Sequence, residues 1–587
     1  MKFLKAAASG LLLAAAGLSS AQAKSPEWVE RSNEHAQVLL EVLARFNPET
    51  AGQLGVDGHD ARVIDLGPGI AERQRKATEA AITELQRRLA KASHPAVKQD
   101  LQILIQAAQD NLETEQLNES LMLPYWAVDR MVFGGIKALL DPRIAKERQA
   151  HAVTRLRAYS GADGSTPLTA LVRARIEERL GNAKLIGPYK AELEQNLSEA
   201  KQVLAGLKDL FEKSGLDGWQ APLKSFETQV RQYNAWVRQT ILPRSRTDHR
   251  LPEALYANNL KQFGVTISPQ ELMQKAQVSF AEIRNEMRAV AKLLAAERGY
   301  KSDDYRDVIR ELKKDQIGND EILATYKGRL AKIEDILRSE QVVTVPARES
   351  VIRLASEAES AILPAPHMSP PRLIGNTGEY GEFVLPLNVP AEPGKEALKM
   401  DDFTFDAATW TLTAHESRPG HEMQFAAMID NGVSIARAVF AFNSVNVEGW
   451  ALYAEAEMKP DFPLDGQLIG LQHRLMRATR AFMDPMLNLG MMDPEAGREF
   501  LMKEVVLSAA MAKQEIDRYT FRAPGQATSY FYGYQRLMET RQRAELALGK
   551  RFQRQAFHDF VLAQGLIPPE LLEKAVMEEF VPAQRKR

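Results

Sequence analysis

Apolar residues recur along most of this chain at intervals of three and four. Around Leu101 they fall at 101, 104, 105, 108 and 112, which is one face of a helix. Leu193, Leu197, Ala200, Leu204, Leu207 and Phe211 repeat the pattern, and Gly215 after Lys213 reads as the stop at its end. Comparable periodicity fills 70–115, 190–240, 270–300, 320–360, 465–515 and 530–560. These stripes are core-facing surfaces and predict a mostly α fold.

Breaks are few. Gly161 to Pro167 reads as a loop ending in a helix cap, and 242–252 as a polar, proline-flanked connection. The stretch 363–394 differs in character. Pro364, Pro366, Pro370, Pro371, Pro386, Pro390 and Pro393 exclude continuous helix there. Within it, Tyr380 to Leu385 reads as a short strand. Such a strand could pair with an extended peptide by edge addition, with Tyr380 in contact with it. Gly378 and Gly381 on either side of Glu379-Tyr380 fit a close backbone approach. The expected organisation is an N-terminal helical portion over 24–362 and a C-terminal portion over 363–587 that opens with this small β insertion.

The first 23 residues read as a secretory leader. Lys2 and Lys5 precede an apolar run from Ala6 to Leu18, and Ala21-Gln22-Ala23 is a small-x-small cleavage site. No later run is long and apolar enough to span a bilayer. The expected destination is the periplasm by the general secretory route, with no membrane partner after cleavage. The 587 residues carry no cysteine, which excludes disulfides, thiol catalysis and thiolate metal sites. A formal net charge of -2 and a pI near 6.6 give no electrostatic grip on nucleic acid.

The densest chemistry is His415-Glu416-Ser417-Arg418-Pro419-Gly420-His421. The usual zinc helix carries its two histidines four residues apart, on one face. Here they are six apart, and on a straight helix of roughly 100° per residue the rings would diverge by roughly 120°. Pro419 removes the N–H that the His415 carbonyl would accept, and Gly420 tolerates unusual dihedrals. A bulge or local unwinding at Pro419-Gly420 could therefore bring His421 back beside His415. Glu416, adjacent to a ligand, is the natural general base. Glu448, in Asn446-Val447-Glu448-Gly449-Trp450, is the expected third ligand; Glu455, seven residues on and on the same face, would support an imidazole N–H. Glu422 has a supporting role. Two histidines and one carboxylate suit one zinc ion per chain.

These blocks resemble a bacterial family catalogued as domain of unknown function 885, marked by His-Glu-x-x-Pro-Gly-His and then Glu-Gly-Trp-Ala-x-Tyr. Both stand here, at 415–421 and 448–453. A third block, Ala523 to Tyr530, is followed by Gly533, Arg541, Gly549 and Phe557-His558-Asp559. The resemblance covers most of the mature chain. It implies a helical zinc peptidase of the gluzincin type, two-lobed with a deep cleft, in which His415, His421 and Glu448 bind the metal and Glu416 is the base. The pattern departs at one place: where the resemblance leads one to expect a His after an Asp-x-Gly-like stretch, this chain has Asp484-Pro485-Met486-Leu487-Asn488. Asn488 could give a substrate a hydrogen bond but not a proton. Tyr530 is the expected oxyanion donor, and Arg541 could hold a substrate carboxylate.

The expected activity is hydrolysis of peptide bonds. Two other readings fit the same residues: a metal-dependent amidohydrolase acting on a non-peptide amide, and an inactive periplasmic binding or chaperone protein. The intact Glu416 speaks against the last.

Overall fold

Helices occupy nearly all of the periodic stretches. The computed structural model describes residues 26–586 except 357–358, 361–362, 364 and 388–399. The leader at 1–23, Pro364, Pro390 and Pro393 lie outside the described residues. The stretch 70–115 is two helices, Ile70–Leu89 and Pro95–Leu121, and 190–240 is another two, Lys190–Ser214 and Gln220–Thr240. The apolar positions named above at 101, 104, 105 and 108 are buried, as are those from 193 to 211. Gly215 ends its helix in the left-handed conformation (φ 70°). The loop before Leu168–Leu180 differs from expectation: Pro167 stands at the N-cap and no side chain caps the helix.

The stretch 320–360 departs further. Ile322–Ser339 is helical, but Val351–Leu354 is a strand. Its β-branched residues pair with a partner that local periodicity cannot reveal. This strand is β1; β2 is His367–Ser369 and β3 is Glu382–Leu385, and the sheet order is β1-β3-β2. β3 runs parallel to β1 and antiparallel to β2. The strand expected at 380–385 therefore exists but lies in the middle, buried along its length. Both its edges are already paired, so a peptide cannot add to it.

Six helices position the site, labelled α1 (Pro269–Arg298), α2 (Asp406–Glu416), α3 (His421–Asp430), α4 (Ser444–Met458), α5 (Leu464–Asn488) and α6 (Thr528–Leu548). α2 is buried at every residue from Ala407 to Glu416, and α4 over most of its length. Helices enclosed on all sides carry no amphipathic stripe. The largest core joins Leu272, Phe280 and Leu294 of α1 to Leu468, Leu475 and Phe482 of α5, and on to Phe531 of α6. A separate core, from Leu66 to Ile241, holds the helices between Val128 and Thr240 together, and another joins Leu39, Leu85 and Leu101 to Ala436. α1 thus belongs with the C-terminal helices, and the cores that join Leu272 to Leu468, Ile333 to Trp410 and Ile322 to Phe383 all straddle the boundary expected at 362/363. No helix among the described residues is long and apolar enough to cross a membrane.

Candidate metal centre

The motif is not a bulge within one helix. α2 ends at Glu416, and α3 starts afresh at His421 after a four-residue break. Three contacts fix that break. The Gly420 backbone lies so close to the end of α2 that a Cβ there would meet the His415 carbonyl oxygen at 1.9 Å, so only glycine fits. The Trp450 indole N–H, reaching across from α4, donates to the Pro419 carbonyl at 2.9 Å. The buried Arg418 guanidinium donates to Glu422 (2.8 Å) and Glu334 (2.6 Å) and also to the Arg348 carbonyl. Glu422 therefore supports the site by anchoring Arg418.

The break turns the two imidazoles toward each other. Their ring centroids are 4.7 Å apart, and one donor atom each from His415, His421 and Glu448 lie within 4.8 Å of one another. Glu448 Oε2 is 3.3 Å from His421 Nε2 and 3.7 Å from His415 Nε2. On the other side of the His415 ring, Nδ1 is 2.7 Å from Glu455 Oε1. Glu448 and Glu455, two turns apart on α4, thus face the two nitrogens of one ring. Glu455 also accepts from Thr411 and pairs with Arg477 at 3.3 Å.

The electrostatics follow from burial and these partners. Burial pushes the His415 imidazolium down, but the carboxylates of Glu448 and Glu455 facing its two nitrogens outweigh it and hold the group at about 9. Burial acts to raise the Glu448 carboxyl, yet the two histidines hold it well below the usual carboxylate range. Glu455 also resists burial, chiefly through Arg477 and then His415, and sits at about 2. His421 Nδ1, Glu448 Oε2 and Glu416 Oε2 are buried with no hydrogen-bond partner among the described residues. Orphaned polar atoms are costly in an interior. A divalent cation at the centre of the triad, displacing any proton held there, fits this donor set: two imidazole nitrogens, one carboxylate, and a carboxylate supporting the His415 ring from behind.

Tyr530 joins this group. Its ring lies 6.2 Å from that of His415 and within 11° of parallel. Arg477, Arg480 and Arg518 surround it, with guanidinium carbons 5.8, 4.4 and 5.2 Å from its centroid. Arg518 donates to the Tyr530 hydroxyl oxygen at 2.8 Å. Gln526 donates to Glu448 Oε1 at 3.4 Å and to Ser444 at 2.8 Å. The arginine cage was not foreseen from sequence, because arginines on a helix ordinarily face water. Gln526 and Trp450 lie inside the motif blocks, which is the signal that could have found them.

Three expected contacts go elsewhere. Arg541 is committed within the fold: it pairs with Glu457, donates to Glu545 at 2.7 Å and to the Tyr453 hydroxyl at 2.7 Å. Its charge is already matched, so it ties α6 to α4 and offers no open grip for a carboxylate. The Asn488 amide donates to the Asp484 carbonyl (2.9 Å), Asp484 Oδ1 (3.1 Å) and the Tyr519 carbonyl (3.0 Å). Its donor capacity is spent on closing the end of α5. Tyr380 is partly exposed, its ring beside Arg348 and its carbonyl accepting from Arg143 at 2.7 Å. It precedes a strand that has no free edge.

A family model described as "Bacterial protein of unknown function (DUF885)" matches residues 48–576. The chain belongs to this DUF885 family. No curated protein matches its sequence. Two solved structures share the fold at 18% identity. One is described as a lipoprotein of unknown function from Shewanella oneidensis, with a TM-score of 0.69 over 94% of this chain and 100% of that one. The other is described as a lipoprotein from Colwellia psychrerythraea, with a TM-score of 0.75 over 94% and 99%. At that identity the likeness speaks to the fold of this DUF885 member and to nothing finer.

Proposed function

We propose that this protein is an exported zinc-dependent peptidase of the gluzincin type, with its catalytic cleft between two helical lobes. The observation that carries the reading is the convergence of one donor atom each from His415, His421 and Glu448 within 4.8 Å, next in sequence to Glu416, whose buried carboxylate oxygen has no hydrogen-bond partner among the described residues. A zinc ion held there supplies Lewis acidity and makes water more acidic. The chain's own residues do the rest. Glu416, one residue from a ligand, takes the proton from the attacking water and passes it to the departing amine. Tyr530, whose oxygen already accepts from Arg518, keeps its own proton to donate to the oxyanion. Glu455 holds the His415 ring in the orientation that presents Nε2.

Export is supported by the Lys2/Lys5, Ala6–Leu18 and Ala21-Gln22-Ala23 sequence features and by two structural neighbours described as lipoproteins. With no cysteine, this chain cannot be lipidated through an N-terminal thiol, which favours free periplasmic protein. The test is metal analysis followed by digestion of a mixed peptide library, read by mass. Zinc near one equivalent, with cleavage abolished and zinc kept in Glu416→Gln, is the expected result. Protein that takes up no zinc, or zinc protein that leaves every peptide intact, would refute the proposal.

A further inference from the structure

A cavity of about 1000 Å³ lies between the N-terminal helical body and the segment Thr520–Pro524. None of the metal-centre residues lines it, yet very little chain separates the two. Pro524 borders the cavity, and two residues later Gln526 donates to Glu448. Two residues of chain span at most about 7 Å. Gly525 between them is fixed from behind, its N–H donating to Asp484 at 2.9 and 3.0 Å. Asn259, on the helix Glu253–Gln262 that also lines the cavity, donates to the Pro524 carbonyl at 3.1 Å. The strip of chain that walls the cavity is therefore the strip that supports the metal-binding carboxylate.

The lining identifies the kind of occupant. Tyr125, Trp126, Tyr189 and Phe521 supply half-buried aromatic surface. Five arginines and five glutamates also line it, so the formal charges cancel. A polyanion would meet as many carboxylates as guanidiniums, and a hydrocarbon chain would desolvate both. A peptide, with apolar side chains, amides and isolated charges of either sign, matches both features. Glu192 and Arg246 both line the cavity, close enough to act on each other, and Arg246 lies 5.5 Å over the Tyr189 ring, so a peptide charge of either sign would meet an opposite partner there. The volume is at the upper end of the roughly 300–1000 Å³ usual for small-molecule sites, which suits several residues better than a dipeptide.

We infer that this cavity is a second binding site, taking the remote residues of an oligopeptide whose reacting end lies at His415, His421 and Glu448. The reacting-end assignment rests on the peptidase reading; the binding itself does not. Binding energy gathered far from the reacting bond is a general route to rate and length selectivity.

Calorimetric titration of the metal-free full-length protein tests this. The probes are a mixed-sequence peptide of roughly eight residues with two aromatic side chains, about 28 Å when extended, and its N- and C-terminal dipeptides. The long peptide should bind at least about tenfold more tightly than either dipeptide, and Trp126→Ala should weaken it about fivefold or more. Glu192→Gln, nearly isosteric, should shift affinity for peptides carrying a lysine and guards against a misfolded Trp126 variant. Equal binding of long and short peptides, or affinities unmoved by both substitutions, overturns the inference. If the long peptide binds as described but is never cut by zinc-loaded protein, the peptidase reading falls and the cavity site stands. If long and short peptides are cut with equal kcat/KM in both wild type and Trp126→Ala, the cavity site falls and the peptidase reading stands.

Discussion

Gly449 and Gly533 touch backbone to backbone. A Cβ on Gly449 would lie 2.5 Å from the Gly533 carbonyl carbon, and one on Gly533 would lie 2.0 Å from the Val445 carbonyl oxygen. Both are obstructed by main chain, which cannot rotate aside. This contact sets the spacing of α4 and α6. Glu448 is the neighbour of one glycine, and Tyr530 lies three residues before the other, so the spacing of the helices is also the spacing of the Glu448 carboxylate from the phenol.

Gly449→Ala should therefore separate the helices and destabilise the protein by about 1–3 kcal/mol, the usual cost of overpacking. Gly134→Ala is the control. It is also helical, but nothing lies within 4 Å of its Cβ position, so it should be neutral or stabilising by up to about 1 kcal/mol. Thermal melts of both variants check the pair. Equal melting temperatures would mean that the α4–α6 contact has slack that its geometry does not suggest.

Glu455→Gln keeps the shape behind His415 but removes the charge. Loss of such supporting carboxylates commonly weakens metal binding by about 10–100-fold. Competition with a chromophoric chelator measures it. The loss should exceed that for Glu422→Gln, because Glu422 pairs with Arg418 and not with a ligand.

Tyr530→Phe should leave zinc content unchanged and lower kcat by about 10²–10³, as removal of one oxyanion donor does elsewhere. Arg518→Met should act partly through the same hydroxyl, because Arg518 donates to it. The two losses should then be less than additive in the double variant. Strict additivity in steady-state kinetics would separate the two residues.

His558 carries a prediction about acid. Its Nδ1 is 2.7 Å from the Val342 carbonyl and its Nε2 2.6 Å from the Tyr453 hydroxyl, an arrangement that the neutral ring satisfies as donor and acceptor. Burial pushes its pKa down from 6.5 to about 4. The folded value is below the unfolded one, so the unfolded chain binds the proton more readily. The stabilising contribution is complete above about pH 6.5 and is lost as pH falls toward about 4, a total of roughly 3 kcal/mol. Urea unfolding across this range should show the slope in wild type and a flatter line in His558→Asn.

The surface helices were legible because their apolar residues recur with the helical period. The convergence of His415, His421 and Glu448 was legible from residue type and spacing. What escaped has a common cause. α2 and α4 are enclosed on all sides, so their period carries no signal and their neighbours could not be named. Val351–Leu354 is a strand because β3 lies beside it, and β3 arrives from nearly thirty residues away. The same sheet order defeated edge addition at Tyr380. Arg541 and Asn488 were misjudged because a sequence displays a polar group without the partners that occupy it: Glu457 and Glu545 for one, Asp484 and Tyr519 for the other.

The joint core of α1 and α5 bears on how this protein can be dissected and inherited. A fragment starting at residue 363 would hold His415, His421 and Glu448 yet leave Leu475 and Phe482 without Leu272 and Phe280. It should collapse or clump when expressed alone, however complete its chemistry. The C-terminal half and its predecessor are thus poor candidates for exchange as separate modules, and a recombination point near 363 would yield two unusable pieces.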